Sequence, residues 1–520
     1  MKLQQIDFKT TGRFSSIFLD YISGHPSLRP FYNHTPEICS FKHAIADRHF
    51  DDSNRPVLVE VLKGQYHNDA VSEQVALNIE KLSESNTFTV TTGHQLNIFT
   101  GPLFFIYKIV AAINLTRSLK KHYPAYHFVP VYWMASEDHD FDEISYFRFF
   151  GEKYQWKMDA SGPVGRLSTA SMQHLLAEIP NVPEFISRAY LESNSLAQAM
   201  RRIVNELFGA HGLLVLDADE PKLKGLLRDV MEDDIFSNKP NRMVEKTTEE
   251  LVKAGYKGQI FPREVNFFYM EDELRQRIVR EDGSFKVLHT DLAFSEDELR
   301  NEIHHSPRKF SPNVVLRPVY QEMILPNLAY IGGPAEMAYW LQLKAVFSHY
   351  DVPFPILFPR LFAAIVPKST QRKMAKNNLV VADIFQDFET LKKQVVRNAN
   401  LRDIELHEEI ERLEAVFLEV GKKAGMSDIS LEAHVMSEAT KAEKSIRKIE
   451  KKIKRAEERK HAEAIRQVSE ILDKLLPNGS LQEREDSFLN FYLHNTHFIE
   501  QLIEVLDPLA FKFNILTDDA

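Results

Sequence analysis

Three polar side chains, His94, Gln95 and Asn97, follow Gly93 in the stretch Thr87–Ser118, and a second polar run, Glu137-Asp138-His139-Asp140, follows the next apolar segment. A histidine at the turn out of a strand can donate to charge developing on a phosphate, which needs fixed dipoles rather than a base. Acidic residues at a strand end suit an ammonium group or a ribose hydroxyl. The Glu137–Asp140 run also offers oxygen and nitrogen donors to a divalent ion such as Mg²⁺. A permanently bound metal is not expected, because a loop that only caps the next helix has the same composition. Asn313, Arg317 and Gln321 share one stretch, with Arg317 the natural fork for a carboxylate or phosphate. Gly332-Gly333-Pro334, with Glu336 in the turn that follows, echoes Thr100-Gly101-Pro102. Proline at a first helical position costs no hydrogen bond, and glycine before it lets a ligand approach the backbone N–H groups, so such a start can hold an anion. Neither a Walker A sequence nor a G-x-G-x-x-G fingerprint occurs, which disfavours a P-loop kinase and a simple dinucleotide oxidoreductase.

These residues need elements to hold them. Thr87 to Thr92 alternates β-branched and aromatic residues as a strand does, and from Pro102 the apolar positions Leu103, Ile106, Tyr107, Val110 and Ile113 recur at helical spacing. His127 to Ala135 is nearly all apolar, as a strand covered on both faces would be. Strand, helix and strand predict a parallel βαβ unit, right-handed by the usual rule, with both polar clusters at the carboxyl edge of one sheet. Further buried strands are expected at His211–Asp217 and Leu328–Ile331, and at Val352–Pro359, whose three prolines confine it to an edge. The chain therefore divides into core at 1–150, 210–254 and 311–376, with insertions at 151–209 (loops and amphipathic helices) and 255–310 (partly antiparallel β). Leu406, Ile410, Leu413, Phe417 and Val420 follow a heptad spacing, Gly421–Asp428 is a plausible reversal, and Ala442, Ile446, Ile449, Ile453 and Ala456 return. The interval from Ile453 to Ala464 is a stutter. An antiparallel coiled coil over 377–480 is the expectation, followed by a helix at Phe488–Leu506 that packs back on the core in 481–520.

The chain of 520 residues is 44% hydrophobic with a net charge of -10, enough for a large core and with no general attraction to nucleic acid. The basic run Lys444–Arg455 lacks interleaved aromatics and reads as a solvated coiled-coil face. No signal segment and no membrane-length apolar run is found, so a cytoplasmic protein without membrane or nucleic-acid partners is expected. Cys39, the sole cysteine, rules out an internal disulfide framework and reads as a small buried hydrophobe.

Four blocks, Thr91–Ile109, Pro130–Ile144, Ser311–Glu322 and Ile331–Trp340, resemble the bacillithiol biosynthesis cysteine-adding enzymes, the cysteine ligase family, in the same order and over nearly the full length. The resemblance implies a Rossmann-like, doubly wound parallel sheet with two connecting-peptide insertions and a coiled coil that makes a homodimer. It implies ATP-dependent joining of the cysteine carboxyl group to the amino group of glucosaminyl malate, with ATP, and Mg²⁺ as its companion ion, as cofactor. The family is similar in architecture to class I aminoacyl-tRNA synthetases. Here Gly93-His94 stands where their H-x-G-H motif lies, and Lys368–Lys373 departs from their K-M-S-K-S pattern. On this reading Gly93, His94, Gln95, Gly332 and Gly333 meet nucleotide phosphates, and His94, Asp138, His139 and Arg317 carry the chemistry. Asn97, Glu137, Asp138, Asp140, Asn313, Arg317 and Glu336 meet substrate. The alternatives are a non-catalytic nucleotide-binding coiled-coil scaffold and, on the E-D-H-D run alone, a metal-dependent hydrolase.

Overall fold

The structure is a computed structural model that describes residues 1–399 and 405–517. The chain forms two compact units, the first comprising essentially Leu3–Ala364 and Gln482–Leu516, the second Ile365–Leu481.

The first unit is built on a five-stranded sheet of β1 (Thr87–His94), β2 (His127–Met134), β3 (Leu214–Asp217), β4 (Asn327–Gly332) and β5 (Ile356–Pro359). All four pairings are parallel and the spatial order is β3-β2-β1-β4-β5. Strand order therefore reverses between β1 and β4, the switch point at which open α/β sheets bind ligands beyond their carboxyl ends. The proline-rich β5 takes the edge, where a missing N–H costs no ladder bond. Helix α1 (Phe104–His122) follows β1 and is buried nearly all round from Phe105 to Thr116, including Lys108 and Asn114. Asn114 donates to the Ile503 and Leu506 carbonyls at 2.9 and 2.7 Å, tying α1 to the helix Phe498–Val505.

Between core segments lies a five-stranded antiparallel sheet made by Phe267–Glu271, Leu274–Glu281, Ser284–Val287, Ala293–Phe294 and Phe310–Pro312. Asp282 and Gly283, both at positive φ, turn its central hairpin. The first insertion contains amphipathic helices but opens on a hairpin, Tyr146–Phe149 with Glu152–Gln155, that the sequence does not announce. The segment expected as one helix over Phe488–Leu506 is instead two, Leu489–Tyr492 and Phe498–Val505. Cys39 is exposed rather than buried, its thiol 3.6 Å from a Glu37 carboxylate oxygen.

In the second unit α4 (His407–Ser427) and α5 (Ile429–Lys460) form an antiparallel helical hairpin, followed by α6 (Ala462–Leu475). The reversal falls on Asp428 alone, whose carboxylate caps Ser430 N at 2.8 Å. Gly421 and Gly425, expected in the reversal, instead stay within the helix. The helix breaks at His461, inside the stutter between Ile453 and Ala464. No helix among the described residues is long and apolar enough to cross a membrane.

Buried polar groups join the two strands at the switch point. Asn327 in β4 accepts from Thr89 and Thr91 of β1 at 3.1 and 2.9 Å and donates to Glu322 at 2.7 Å. Gln321 also donates to Glu322, at 2.9 Å, and the Arg48 guanidinium stands 3.6 Å away. Burial pushes the Glu322 carboxyl up to about 7, the Arg48 charge opposing it. The native state then holds this proton more tightly than the unfolded chain, so the group's contribution to stability falls as pH rises from the ordinary carboxyl range toward 7. Glu322→Gln keeps the acceptor and removes the titration. Thermal melts should find the variant gaining on the wild type between pH 5 and pH 8; a difference in Tm independent of pH would contradict this.

Candidate functional site

The carboxyl ends of β1 and β4 bring Gly93, His94, Gly332 and Gly333 to the switch point. Lys108, one turn into α1, is buried between them. Its ammonium donates to the Gly93 carbonyl at 2.7 Å and pairs with a Glu336 carboxylate oxygen at 2.6 Å. The Glu336 carboxylate also accepts from the Tyr330 hydroxyl and from Gly333 N, both at 2.8 Å. The N–H expected to receive a ligand anion is thus occupied by the chain's own carboxylate, in a capping box on α3 (Pro334–Trp340). Burial would raise the Glu336 carboxyl, but the Lys108 charge and these hydrogen bonds hold it below the usual range. Gly93 has a steric reason to lack a side chain: a Cβ would come 3.2 Å from the Tyr330 hydroxyl and 3.8 Å from the Arg317 guanidinium.

His94 packs its ring against Phe104 and Phe105, with centroids 5.1 and 5.3 Å away, and its Nε2 is buried without a protein partner. Burial, aided by the Lys108 charge, pushes the imidazole down to about 3, so it is neutral at pH 7. Arg317, at the start of α2 (Arg317–Ile324), lies about 6 Å from each of three ring centroids: Trp133 at 5.8 Å, Tyr330 at 5.7 Å and Trp340 at 6.0 Å. Its Nη1 donates to Gln321 at 3.1 Å and the Tyr339 hydroxyl adjoins the guanidinium, while Nη2 is buried without a hydrogen-bond partner of good geometry. Arg360, after β5, pairs with buried Glu483 at 2.6 Å and lies 5.0 Å from the Phe104 ring. This half of the site is basic and closely packed.

The Glu137–Asp140 run forms the other half, and its members part company. Glu137 turns inward to Lys224, 2.5 Å away and fully buried, and accepts from Ser311 at 2.9 Å. Asp140 caps the short helix after it, accepting from Glu143 N at 3.3 Å. Asp138 accepts from Gln95 and from His139 N, both at 2.8 Å. Burial works against its ionisation, but these bonds and the Arg275 guanidinium hold its carboxyl well below the usual carboxylate range. His139 Nδ1 faces Arg275 Nη1 at 2.8 Å, which makes Nδ1 the acceptor and leaves the ring proton on Nε2. Gln95, Asp138, His139, Asp140 and Asp159 line a cavity of about 620 Å³, and Asp159 also borders a second of the same volume walled by Arg166, Asp217, Asp219 and Arg308. Among the described residues no group of three or more His, Cys, Asp and Glu side chains is placed to hold a metal ion.

Two candidates are engaged in shaping loops. Asn97 donates to the Glu143 carbonyl at 3.0 Å and leaves no room for a side chain at Gly101, where a Cβ would fall 2.5 Å from its own. Asn313 bonds Asn266 and caps Val315 N at 2.8 Å. Lys108, Arg275 and Lys224 carry the charge that balances Glu336, Asp138 and Glu137, and the sequence singles out none of them. A lysine inside an otherwise apolar helical run, as Lys108 is in Phe104–Ile113, was the legible signal, since unpaired lysine is almost never buried.

Residues 1–361 match the family model described as bacillithiol biosynthesis BshC, N-terminal Rossmann-like domain, and residues 363–517 match the C-terminal coiled-coil domain of the same family. A relative from Cytophaga hutchinsonii is 40% identical over 513 residues, covering 99% of this chain and 98% of its own. One from Flavobacterium johnsoniae is 39% identical, covering 98% and 99%. Both carry the name "Putative cysteine ligase BshC". The chain, with its Rossmann-like parallel sheet and C-terminal coiled coil, belongs to the bacillithiol biosynthesis BshC family.

Proposed function

We propose that this protein is the cysteine ligase of bacillithiol biosynthesis, forming an amide between the cysteine carboxyl group and the amino group of glucosaminyl malate with ATP as co-substrate. The observation that carries the reading is the Arg317 guanidinium at the switch point, buried among aromatic rings with Nη2 unsatisfied. A buried charged donor without an acceptor is costly, and a bound carboxylate or phosphate would complete it with a charge-assisted bond.

In this reading Arg317 holds a substrate carboxylate, such as one on the malate moiety. ATP, when bound with Mg²⁺ on its phosphates, supplies the phosphorus electrophile that makes a carboxylate oxygen a leaving group. Gln95 meets the phosphates at the carboxyl end of β1, while Gly93, Gly332 and Gly333 lack side chains so that Tyr330, Arg317 and Glu336 can close around the strand ends. His94 acts as a neutral hydrogen-bond donor to charge developing there, because an imidazole with its pKa near 3 is no base at pH 7. Asp138, ionised and facing the acidic cavity, orients the acceptor ammonium; its low pKa makes it an orienting group, with the His139 ring beside it. The acceptor ammonium first gives a proton to solvent; the free amine nitrogen then attacks the activated carboxyl carbon, the bond from that carbon to the phosphorus-bearing oxygen breaks, the oxygen leaves on phosphate, and a second proton passes from nitrogen to solvent as the amide forms.

The exposed apolar side chains Val416 and Val420, one turn apart on α4, support pairing of the coiled coil with a second copy. The absence of a membrane-length helix among the described residues is compatible with work in the cytoplasm.

His94→Ala and Arg317→Ala proteins, shown to be folded by circular dichroism, should form product from cysteine, glucosaminyl malate and ATP at least about 100-fold more slowly than the wild type. Wild-type rates would refute the assignment. A nucleotide-dependent rise in melting temperature without product, even in an extract holding every precursor, would favour a nucleotide-binding scaffold. Val416→Glu/Val420→Glu should sediment as a monomer where the wild type sediments as a dimer; an unchanged dimer would place the contact elsewhere.

A further inference from the structure

Lys108 is a charged group with its whole ammonium buried, one turn into a helix that otherwise packs as core. Its partners belong to three separate elements of the switch point. The Gly93 carbonyl ends β1, Glu336 opens α3, and through the Glu336 carboxylate the lysine is joined to Gly333 N and to the Tyr330 hydroxyl of β4. The Tyr330 hydroxyl in turn lies against the bare Cα of Gly93. The network is closed: every member is bonded to the turn after β1 or the turn after β4. Stability alone would not require it, since an ion pair taken out of water commonly gains little over apolar side chains of similar volume. A device that fixes geometry is the better account of a charge in this position.

We propose that Lys108 is the positioning residue of the ligase site, setting the orientation of the Gly93-His94 end of β1 against the Gly332-Gly333 segment before α3 by clamping the Gly93 carbonyl to the Glu336 carboxylate. The proposal rests on the ligase reading for what the turns hold, and on the geometry alone for the clamp. The charged groups facing the His94 imidazole are Lys108 from α1, Glu336 from α3 and Arg360 after β5. Lys108 therefore also counters the Glu336 carboxylate as seen by His94. Removing the lysine leaves an uncompensated carboxylate that draws a proton onto the imidazole.

Three full-length proteins test this: wild type, Lys108→Met and Lys108→Met/Glu336→Gln, the last removing both charges so that no unpaired ion is left to unfold it. In histidine-labelled protein the His94 signal is identified by its loss in His94→Asn and followed by NMR from pH 8.5 to pH 5. His94 should stay neutral in the wild type and the double variant, and should begin to protonate toward pH 5 in Lys108→Met. Both variants should form product about 100-fold more slowly than the wild type, the loss expected when reacting groups are misplaced by about 1 Å. If the double variant is folded and ligates at the wild-type rate, the pair is a matched charge and no clamp, and the proposal fails. It fails too if His94 in Lys108→Met titrates as in the wild type. A wild-type protein that makes no product from cysteine, glucosaminyl malate and ATP would overturn the ligase reading instead, and the His94 titration would still decide whether Lys108 acts on the site.

Discussion

A single buried ion pair, Lys108 with Glu336 at 2.6 Å, joins the two halves of the sheet where strand order reverses. The parallel ladder pairs β1 with β4 as far as Thr92 and Ile331, and beyond that register the strand ends lie open at the switch point, where side chains decide how they are oriented. Beneath, Asn327 and the threonines of β1 lock the strands together; above, Lys108, Glu336 and Tyr330 lock the turns. Breaking such a pair by removing one partner typically costs about 3–5 kcal/mol, because the survivor is a lone charge in a poor solvent. The glycine at 93 is part of the same constraint, since a side chain there would push the Tyr330 hydroxyl away.

From that junction the site divides by charge. Toward β4 and β5 lie Arg317, Lys108 and Arg360 with the neutral His94, closely packed among aromatic rings. Toward β2 and β3 lie a cavity bordered by Asp138, Asp140 and Asp159 and a second in which Asp217 and Asp219 face Arg166 and Arg308. Anionic and amine-bearing groups brought to the same sheet edge would be sorted by this field before any contact is made. In the proposed ligation, with Lys108 and Arg360 already paired to Glu336 and Glu483, Arg317 would take the carboxylate and the Asp138 side the ammonium.

Much of this was legible in the sequence. The strand, turn and helix around Gly93-His94 follow from a change of hydrophobic period, and the proline-rich final strand is at the edge because proline cannot complete a ladder. The location of Arg317 and Glu336 at the same edge as His94 was visible from the order of the strands. What was not legible was pairing. Gly333 N–H looks open in sequence, yet Glu336 fills it; Glu137 looks like a ligand group, yet Lys224, far along the chain, neutralises it. Local composition cannot reveal a long-range ion pair. The hairpin at Tyr146–Gln155 and the break at His461 escaped for a different reason, being decided by packing rather than by propensity.

In the proposed ligase the switch point between β1 and β4 holds substrate, with Arg317 as the anchor. A crystal structure of the wild-type protein soaked with cysteine and glucosaminyl malate tests this most directly. The account predicts a substrate carboxylate within hydrogen-bond reach of Arg317 Nη2, with the acceptor amine on the Asp138 side. Both substrates bound elsewhere, with the Arg317 guanidinium untouched among its aromatic rings, would contradict it.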